Sequence, residues 1–280
     1  MNKLTIRFFI LFTFCSLTKA TAQEPIATNG KFAIANGLKI YYEESGKGMP
    51  LILINPFQST CSSWKPFTPE LSKYFRVIAI DIPGHGRSEA MDTSSIYSFR
   101  KAAEYILNLI DLLRLDSVNI IGPSSPSAIA LYISTIRPSM VKNLVIIGGQ
   151  AYFSAQTRKV IASWGPGFED QTWLAESIKK HGNEKGLQLL KQLWNFRNVY
   201  GNPSITPDML STITARTLII HGDNDDIVPL SQAMEMYKNI NKKYLWVVPN
   251  GGHLPYLDPK NQIDFLRRVI EFLNMDWDKK

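Results

Sequence analysis

Short, continuous runs of apolar residues recur along the chain and predict strands that are buried on both faces of a sheet. A strand inside a parallel sheet is covered by helices on both sides, so it is apolar throughout instead of alternating. The runs are Leu51–Ile54, Arg76–Ile80, Val118–Ile121, Leu144–Ile147, Thr217–Ile220 and Tyr244–Val248. Lys31–Glu44 differs, because Asn36-Gly37 between its two halves predicts a hairpin with a two-residue turn.

Amphipathic segments alternate with these runs and predict helices. Apolar residues recur every three or four positions from Phe99 to Leu113 and again from Ile263 to Leu273. Strands that alternate with helices indicate an α/β fold with a mostly parallel, doubly wound sheet. Residues 151–209 interrupt the alternation, because they contain no strand-like run and are rich in aromatic residues. We expect this stretch to form a small helical lid, inserted after a strand.

The first residues have the three parts of an export signal. Lys3 and Arg7 supply positive charge, Phe8–Leu17 is a short apolar run, and Ala20-Thr21-Ala22 is a small-x-small cleavage site. An uncleaved membrane anchor is the alternative reading. An apolar run of roughly ten residues is, however, shorter than the ~20 residues that cross a bilayer.

Cleavage at this site would divide the chain into a signal peptide, residues 1–22, and a mature α/β domain, residues 23–280, with the lid insertion at about 151–209. The mature protein is predicted to be exported, either periplasmic or secreted, without stable membrane insertion. Cys61 would then be its single cysteine, so no intrachain disulfide could form. We expect Cys61 to be a small packing residue and not a catalytic thiol.

Charge and composition argue against several classes of partner. The net charge of the 280-residue chain is +7, and it falls to +4 when the three basic residues of the signal leave. The other basic residues are scattered and form no stripe interleaved with aromatic residues, so no nucleic-acid partner is expected. No phosphate-binding loop, dinucleotide fingerprint or metal-like cluster of histidine and cysteine occurs in the sequence. Neither a cofactor nor a metal is therefore predicted.

Three reactive residues lie shortly after predicted strands. Ser124 follows the run that ends at Ile121, and Asp225 and His253 follow the last two runs. In an open parallel sheet, ligands bind beyond the carboxyl ends of the strands. Ser124 also lies in Gly122-Pro123-Ser124-Ser125-Pro126, which has the layout of a sharp turn between a strand and a helix. The three side chains are thus expected to meet at one edge of the sheet.

These residues and three short motifs resemble the α/β-hydrolase fold superfamily over about residues 30–275. The motifs are Asp81–Ser88 in the turn after the family's fourth strand, Gly222–Pro229 around the acid, and Asn250–His253 around the histidine. The chain order of serine, aspartate and histidine is also that of the superfamily. The resemblance implies an α/β-hydrolase fold with a helical lid. Serine instead of aspartate at position 124 argues against the dehalogenase and epoxide hydrolase branches.

By this resemblance Ser124 would be the nucleophile and His253 the general base, with a carboxylate that orients the imidazole. Asp225 is the expected acid, because its spacing from the following proline matches the superfamily pattern. Asp223 and Asp226 are the alternatives, and they are expected to be solvated loop or capping residues.

Two backbone N–H groups would stabilise the oxyanion, again by resemblance. One belongs to Ser125, and the other to Phe57 in Asn55-Pro56-Phe57, where the superfamily has His-Gly-x. Pro126 replaces the last glycine of the Gly-x-Ser-x-Gly elbow and biases the residue before it away from the helical region. Proline is tolerated in the first turn of a helix, so we expect the turn to form with the Ser125 N–H retained.

The other three histidines are expected to be structural. His85 matches a turn position of the superfamily, and His221 at a strand end should be packed. His181 lies in the predicted lid and should be exposed to solvent.

Two functions are consistent with these residues. The first is an exported serine hydrolase that cleaves an ester or related acyl bond of a small molecule through an acyl-enzyme. The aromatic lid and Phe57 favour an apolar acyl or small aromatic substrate. The second is a protein of the same fold that has lost catalysis and serves as a binding or scaffold protein. The departures from the pattern that motivate it are Asn55, Pro56, Pro123, Pro126 and Ser127.

Overall fold

The computed structural model describes residues 29–91 and 96–275, which form one eight-stranded sheet with helices on both sides. The predicted signal peptide lies outside the described residues. The strands are β1 (Asn29–Ala35), β2 (Leu38–Ser45), β3 (Pro50–Ile54), β4 (Arg76–Ile80), β5 (Val118–Pro123), β6 (Val141–Ile147), β7 (Arg216–Gly222) and β8 (Lys243–Val248). Their order in the sheet is β1-β2-β4-β3-β5-β6-β7-β8.

The predicted hairpin forms one edge of the sheet. β1 and β2 pair antiparallel up to Ala35, which is opposite Leu38. Asn36 and Gly37 have φ values of +47° and +83°, and positive φ at both central residues is the pattern of a type I′ hairpin turn. β2 also pairs antiparallel with β4, whereas the pairings among β3 to β8 are parallel. The predicted fold class, a mostly parallel α/β sheet, is confirmed.

Helices cover both faces of this sheet. They are α1 (Thr68–Leu71), α2 (Phe99–Leu112), α3 (Ser127–Ile136), α4 (Ala155–Trp164), α5 (Gln171–His181), α6 (Asn183–Asn195), α7 (Pro207–Ser211), α8 (Leu230–Asn239) and α9 (Pro259–Leu273). α2, α3 and α8 pack into one apolar layer, with Ile52 and Ile54 of β3. α1 and α9 pack into the other, with Leu51 and Leu53 of the same strand. Because both faces are covered, a strand such as β3 has to be apolar throughout.

Two details of the apolar pattern differ from the prediction. β8 is the edge strand of the sheet, and five of its six residues are only half-buried. Ile263 was expected in the apolar stripe of α9, but it is 83% exposed. The buried stripe of α9 contains Phe265 and Val269, and a residue two positions before Phe265 lies about 200° away around the helix.

The chain between β6 and β7 is helical, as predicted. It contains α4, α5, α6 and α7, which are together called the lid below. An isolated antiparallel bridge joins Tyr152, before α4, to Ser204, between α6 and α7. The boundaries of the lid as a separate insertion, at about 151–209, stay a prediction. Within the described ranges, no helix has the length and apolar character needed to cross a membrane.

The lid is fastened to the loop after β4 through Gly86. The Gly86 N–H donates to His181 Nδ1 at 2.8 Å, and Lys185 Nζ donates to the carbonyls of Gly86 and Ser88 at 2.6 and 2.7 Å. His181 is therefore not exposed to solvent as expected but 3% exposed. It was misplaced because its contacts are about 95 residues away in the chain and leave no local pattern.

Burial lowers the pKa of His181 from 6.5 to about 4, so the ring is neutral in the folded protein at pH 7 and its Nδ1 can accept from Gly86. Between these values the unfolded chain binds a proton that the folded chain does not, so stability should fall as the pH falls through this window. Between pH 7.5 and pH 5 the part due to His181 is about 2 kcal/mol, because pH 5 is still above the folded pKa. Urea unfolding at these two pH values measures it. His181→Gln should be less stable at pH 7.5 and lose less on acidification, and equal losses in both proteins would contradict the assignment.

Candidate active site

Ser124 lies at the apex of a tight turn between β5 and α3. Its φ is +53°, in the left-handed region that residues other than glycine rarely adopt. The Ser124 N–H donates to the Ile147 carbonyl of β6 at 2.8 Å, and the Ser124 carbonyl accepts from the Ser127 N–H at 2.9 Å. A strained serine between a strand and a helix is the geometry of a nucleophile elbow.

Pro126 fits this turn, with φ −64° and ψ −8° directly before α3. A proline φ of about −65° suits the start of a helix, where the missing N–H would have no intrahelical acceptor. The close approach of strand and helix falls on Gly122 instead. A Cβ on Gly122 would lie 3.0 Å from Ser127 Cα and 3.1 Å from Ala130 Cβ. The Ser125 N–H is retained, and it has no acceptor in the described part of the chain.

The three predicted reactive side chains meet at the carboxyl edge of the sheet. Ser124 Oγ is 2.8 Å from His253 Nε2, and His253 Nδ1 is 2.8 Å from Asp225 Oδ2. A neutral imidazole that donates from Nδ1 to the carboxylate leaves Nε2 free to accept from the serine hydroxyl. The side chain of His253 is 15% exposed and that of Asp225 1%. Ser124 itself is half-buried, so the serine and the histidine are partly accessible whereas the acid is shielded from water.

Asp225 is the aspartate of its loop that contacts His253. Its other oxygen, Oδ1, accepts from the backbone N–H groups of Ile227 and Val228 at 2.9 and 2.8 Å. Asp223 and Asp226 are both exposed. A buried carboxylate is stable only when its oxygens are paired or hydrogen-bonded, and Asp225 meets that condition at both oxygens.

His221 also lies beside the acid, which the sequence alone did not show. Its Nε2 is 3.0 Å from the Val228 carbonyl and 3.5 Å from Asp225 Oδ2. Burial lowers the pKa of His221, so its ring is neutral and Nε2–H donates to the carbonyl. His221 thus packs the loop that carries Asp225 against the end of β7. It is a packed histidine at a strand end, as we expected.

Two glycines allow the loop that carries His253 to approach the strand ends. Gly148 directly follows β6 with φ +53°, and a Cβ there would lie 2.2 Å from the His253 carbonyl oxygen. A Cβ on Gly222, the last residue of β7, would lie 2.2 Å from the Gly251 carbonyl oxygen. Contacts this short exclude any side chain, so both positions require glycine for the histidine to reach Ser124.

Phe57, the second expected oxyanion donor, lies in the loop after β3. Its ring packs edge-on against His85, Tyr97 and Phe196, with centroid separations of 4.8, 5.2 and 5.1 Å. Like the Ser125 N–H, the Phe57 N–H has no hydrogen-bond acceptor among residues 29–91 and 96–275. Both N–H groups are thus free to bind a ligand, and their role at an oxyanion stays a prediction.

Gln150 links the serine turn to the lid and was missed by the sequence reasoning. Its side-chain amide donates to Ser125 Oγ at 3.3 Å, and its amide oxygen accepts from Thr157 Oγ1 of α4 at 3.2 Å. Its backbone N–H donates to Ser127 Oγ at 3.3 Å. The sequence does contain one signal for it, because a polar residue that follows an apolar strand lies at the ligand edge of the sheet.

Among residues 29–91 and 96–275, no group of three or more His, Cys, Asp or Glu side chains is arranged so that it could hold a metal ion. His85 is fully buried, and burial lowers its pKa. Cys61 is buried as well, and burial raises the pKa of its thiol. A thiol without thiolate character is a poor nucleophile, so Cys61 has the packing role that we expected.

Two family models match the chain. One, described as the alpha/beta hydrolase fold, matches residues 50–183, and one described as the prolyl oligopeptidase family matches residues 161–279. Together with the sheet order and the strand-turn-helix at Ser124, they agree with the motifs in the sequence. The chain belongs to the α/β-hydrolase superfamily.

Known relatives are similar over almost the whole chain. 2-Hydroxy-6-oxo-6-(2'-aminophenyl)hexa-2,4-dienoic acid hydrolase of Metapseudomonas resinovorans is 24% identical, over 87% of this chain and 90% of its own. Serine hydrolase BPHL of Homo sapiens is 27% identical, over 86% of this chain and 87% of its own. A crystal structure of the meta-cleavage product hydrolase CumD is 25% identical with a TM-score of 0.71, over 88% of this chain and 98% of its own. The predicted class of enzyme is confirmed: the chain is a hydrolase.

The surroundings of Asp225 predict how the three neighbouring aspartates differ. Asp225→Asn should lower kcat by about 10⁴-fold, because an asparagine no longer stabilises the correct imidazole tautomer or its charged form. Asp223→Asn and Asp226→Asn are matched controls on the same loop and should stay close to wild type. Steady-state hydrolysis of p-nitrophenyl butyrate measures all three. Equal losses in the three variants would contradict the assignment of the acid.

Proposed function

We propose that this chain is an exported serine hydrolase that cleaves an ester or related acyl bond through Ser124, His253 and Asp225. The observation that carries the proposal is the pair of 2.8 Å contacts from Ser124 Oγ to His253 Nε2 and from His253 Nδ1 to Asp225 Oδ2. A serine hydroxyl is a poor nucleophile at neutral pH unless an adjacent base takes its proton. His253 is within reach of that proton, and Asp225 fixes its orientation.

The first half of the proposed reaction forms an acyl-enzyme. Ser124 Oγ attacks the acyl carbon while its proton passes to His253 Nε2, and the Asp225 carboxylate stabilises the resulting imidazolium. The carbonyl oxygen of the substrate becomes an oxyanion, which accepts from the N–H groups of Phe57 and Ser125. The tetrahedral intermediate then expels the leaving alkoxide, which takes the proton from His253.

The second half returns the enzyme to its starting state. His253 takes a proton from a water molecule, whose oxygen attacks the acyl carbon bound to Ser124 Oγ. A second oxyanion forms in the same place and collapses as the bond to the serine breaks. The proton returns from His253 to Ser124 Oγ, and a carboxylic acid is released.

An apolar acyl or small aromatic group is the proposed substrate chemistry. Phe57 is half-buried and packs into a cluster of rings that continues to the start of the lid at Phe153. The other members of the cluster are Tyr97, Phe99 and Phe196. Aromatic rings stabilise a bound apolar group through buried area and ring-edge contacts. Phe57 is the partly accessible ring of this cluster and carries the expected oxyanion donor, whereas the other four rings are buried and support it.

A 2-hydroxy-6-oxo-dienoic acid is a second candidate substrate, because the relative from Metapseudomonas resinovorans is named as a hydrolase of such an acid. Its carboxylate would require a cationic partner. Arg158 lies beside the aromatic cluster, but it already donates to the carbonyls of Phe153 and Phe196 at 3.0 Å each. For this reason the candidate ranks second, and turnover of such an acid in preference to aryl esters would reverse the order.

Labelling with a fluorophosphonate probe tests the nucleophile. Wild-type protein should be modified, and peptide mapping should place the adduct on Ser124. Ser124→Ala should lose both the label and the hydrolysis of p-nitrophenyl butyrate. Ser163→Ala, a serine on the exposed face of α4, is the control that should keep both. Folded wild-type protein that neither reacts with the probe nor cleaves short-chain esters would disprove the proposal.

Export is tested separately, because it depends on residues 1–22 alone. Expression of the full chain in a Gram-negative host should yield protein outside the cytoplasm that begins at Gln23, as read by mass spectrometry of the N-terminal peptide. A double substitution of Ala20 and Ala22 by aspartate should block processing. Protein that keeps Met1 and stays in the cytoplasm would contradict export without bearing on the hydrolase.

A further inference from the structure

The side chain of Asn55 stabilises the loop after β3 through hydrogen bonds to the backbone. Its Nδ2 donates to the carbonyls of Pro56 at 2.8 Å and Ser59 at 2.9 Å, and its Oδ1 accepts from the Ile82 N–H at 2.9 Å. Asn55 is fully buried. Both N–H bonds of the carboxamide and its oxygen are thus used, and water does not compete with them.

These hydrogen bonds fix a tight turn that contains Phe57. The Ser59 N–H donates to the Pro56 carbonyl at 3.1 Å and closes the turn, and Gln58 has a φ of +63°. Positive φ is unfavourable for a residue other than glycine, so the turn needs stabilisation from its surroundings. Asn55 supplies it, because the same carboxamide binds the carbonyls at both ends of the turn.

The bond to Pro56 also determines where the Phe57 N–H points. The Pro56 carbonyl and the Phe57 N–H belong to the same peptide unit, which is planar and trans, so they point in opposite directions. Asn55 draws the carbonyl oxygen into the protein interior. The Phe57 N–H is consequently turned outward from Asn55, and it has no acceptor among the described residues.

The lid contacts the same turn through the side chain of Gln58. Ser177 Oγ of α5 is 3.0 Å from Gln58 Oε1 and 3.0 Å from the Gly186 carbonyl oxygen. The turn is therefore held by Asn55 and is also contacted by the lid. An oxyanion donor has to be fixed in this way before the reaction, because reorienting it during the reaction costs free energy.

We infer that Asn55 is a positioning residue, which aims the Phe57 N–H at the oxyanion of the reaction. The inference rests on the proposed function, and it assigns a role to a residue that differs from the histidine of the superfamily pattern. A carboxamide serves here because it can donate to two carbonyls and accept from one N–H at the same time.

Asn55→Asp tests the inference, since it keeps the size and the acceptor for Ile82 but replaces the Nδ2 donor by an oxygen that faces the carbonyls of Pro56 and Ser59. We expect kcat for p-nitrophenyl butyrate to fall about 10- to 100-fold, with KM changed by less than about threefold, because the donor is displaced and not removed. The rate of fluorophosphonate labelling at Ser124 should fall in parallel.

Asn143 provides a matched control. It is also fully buried, donates from Nδ2 to Asn119 Oδ1 at 2.9 Å and accepts from Arg216 at 2.8 Å, but it is the third residue of β6, at the amino end of the parallel strands. Asn143→Asp should lower the melting temperature and leave kcat within about twofold of wild type, because ligands bind at the opposite edge.

The outcomes separate this inference from the proposed function. A wild-type protein without labelling or turnover overturns the proposed function, and with it the role of Asn55. An active wild type together with a folded Asn55→Asp whose kcat stays within about twofold, or whose loss lies in KM alone, overturns the inference only. If Asn55→Asp does not fold, Asn55→Ala removes the same two donors without burying a charge, and the same criteria apply to it.

Discussion

The candidate active site depends on the position of one imidazole, that of His253, which contacts both Ser124 and Asp225. The serine follows β5, the acid follows β7 and the histidine follows β8, so the order β5-β6-β7-β8 brings three distant segments within hydrogen-bond reach. The end of β6 lies between them. Gly148 at that point has no side chain, and the backbone at His253 occupies the space that a Cβ would need. The triad geometry is therefore a consequence of strand order and of a missing side chain.

The Asp225 carboxylate is buried and hydrogen-bonded at both of its oxygens. The two oxygens of Asp225 have different partners, since backbone N–H groups hold Oδ1 while Oδ2 contacts His253. The two hydrogen bonds to Oδ1 oppose rotation of the carboxylate and so keep Oδ2 directed at the imidazole. The neutral His221 packs on the same loop and adds no charge that would compete for the carboxylate.

Much of this arrangement was predictable, because it follows from local patterns. Continuous apolar runs predicted the parallel strands, and Asn36-Gly37 predicted the hairpin. The position of Asp225 in its loop singled it out from the neighbouring aspartates as the residue that contacts His253.

The wrong predictions about His181 and β8 share a physical cause. His181 was expected in solvent, but it is buried by a loop about 95 residues away in the chain. β8 is only half-buried because it is the last strand of the sheet that the described residues form. Contacts of that kind are set by tertiary packing, and a sequence window does not contain them.

Pro126 and Asn55 depart from the superfamily pattern, but their contacts show that both fit the structure. Pro126 gives up an N–H that had no intrahelical acceptor, and the close contact of strand and helix falls on Gly122. Asn55 replaces a histidine, yet its carboxamide makes three buried hydrogen bonds that hold the turn at Phe57. Pairing alone is required of any buried carboxamide, since each unpaired group costs about 1–3 kcal/mol. An oxyanion loop built from different residues is favoured over a decayed one because this pairing leaves the Phe57 N–H without an acceptor among the described residues.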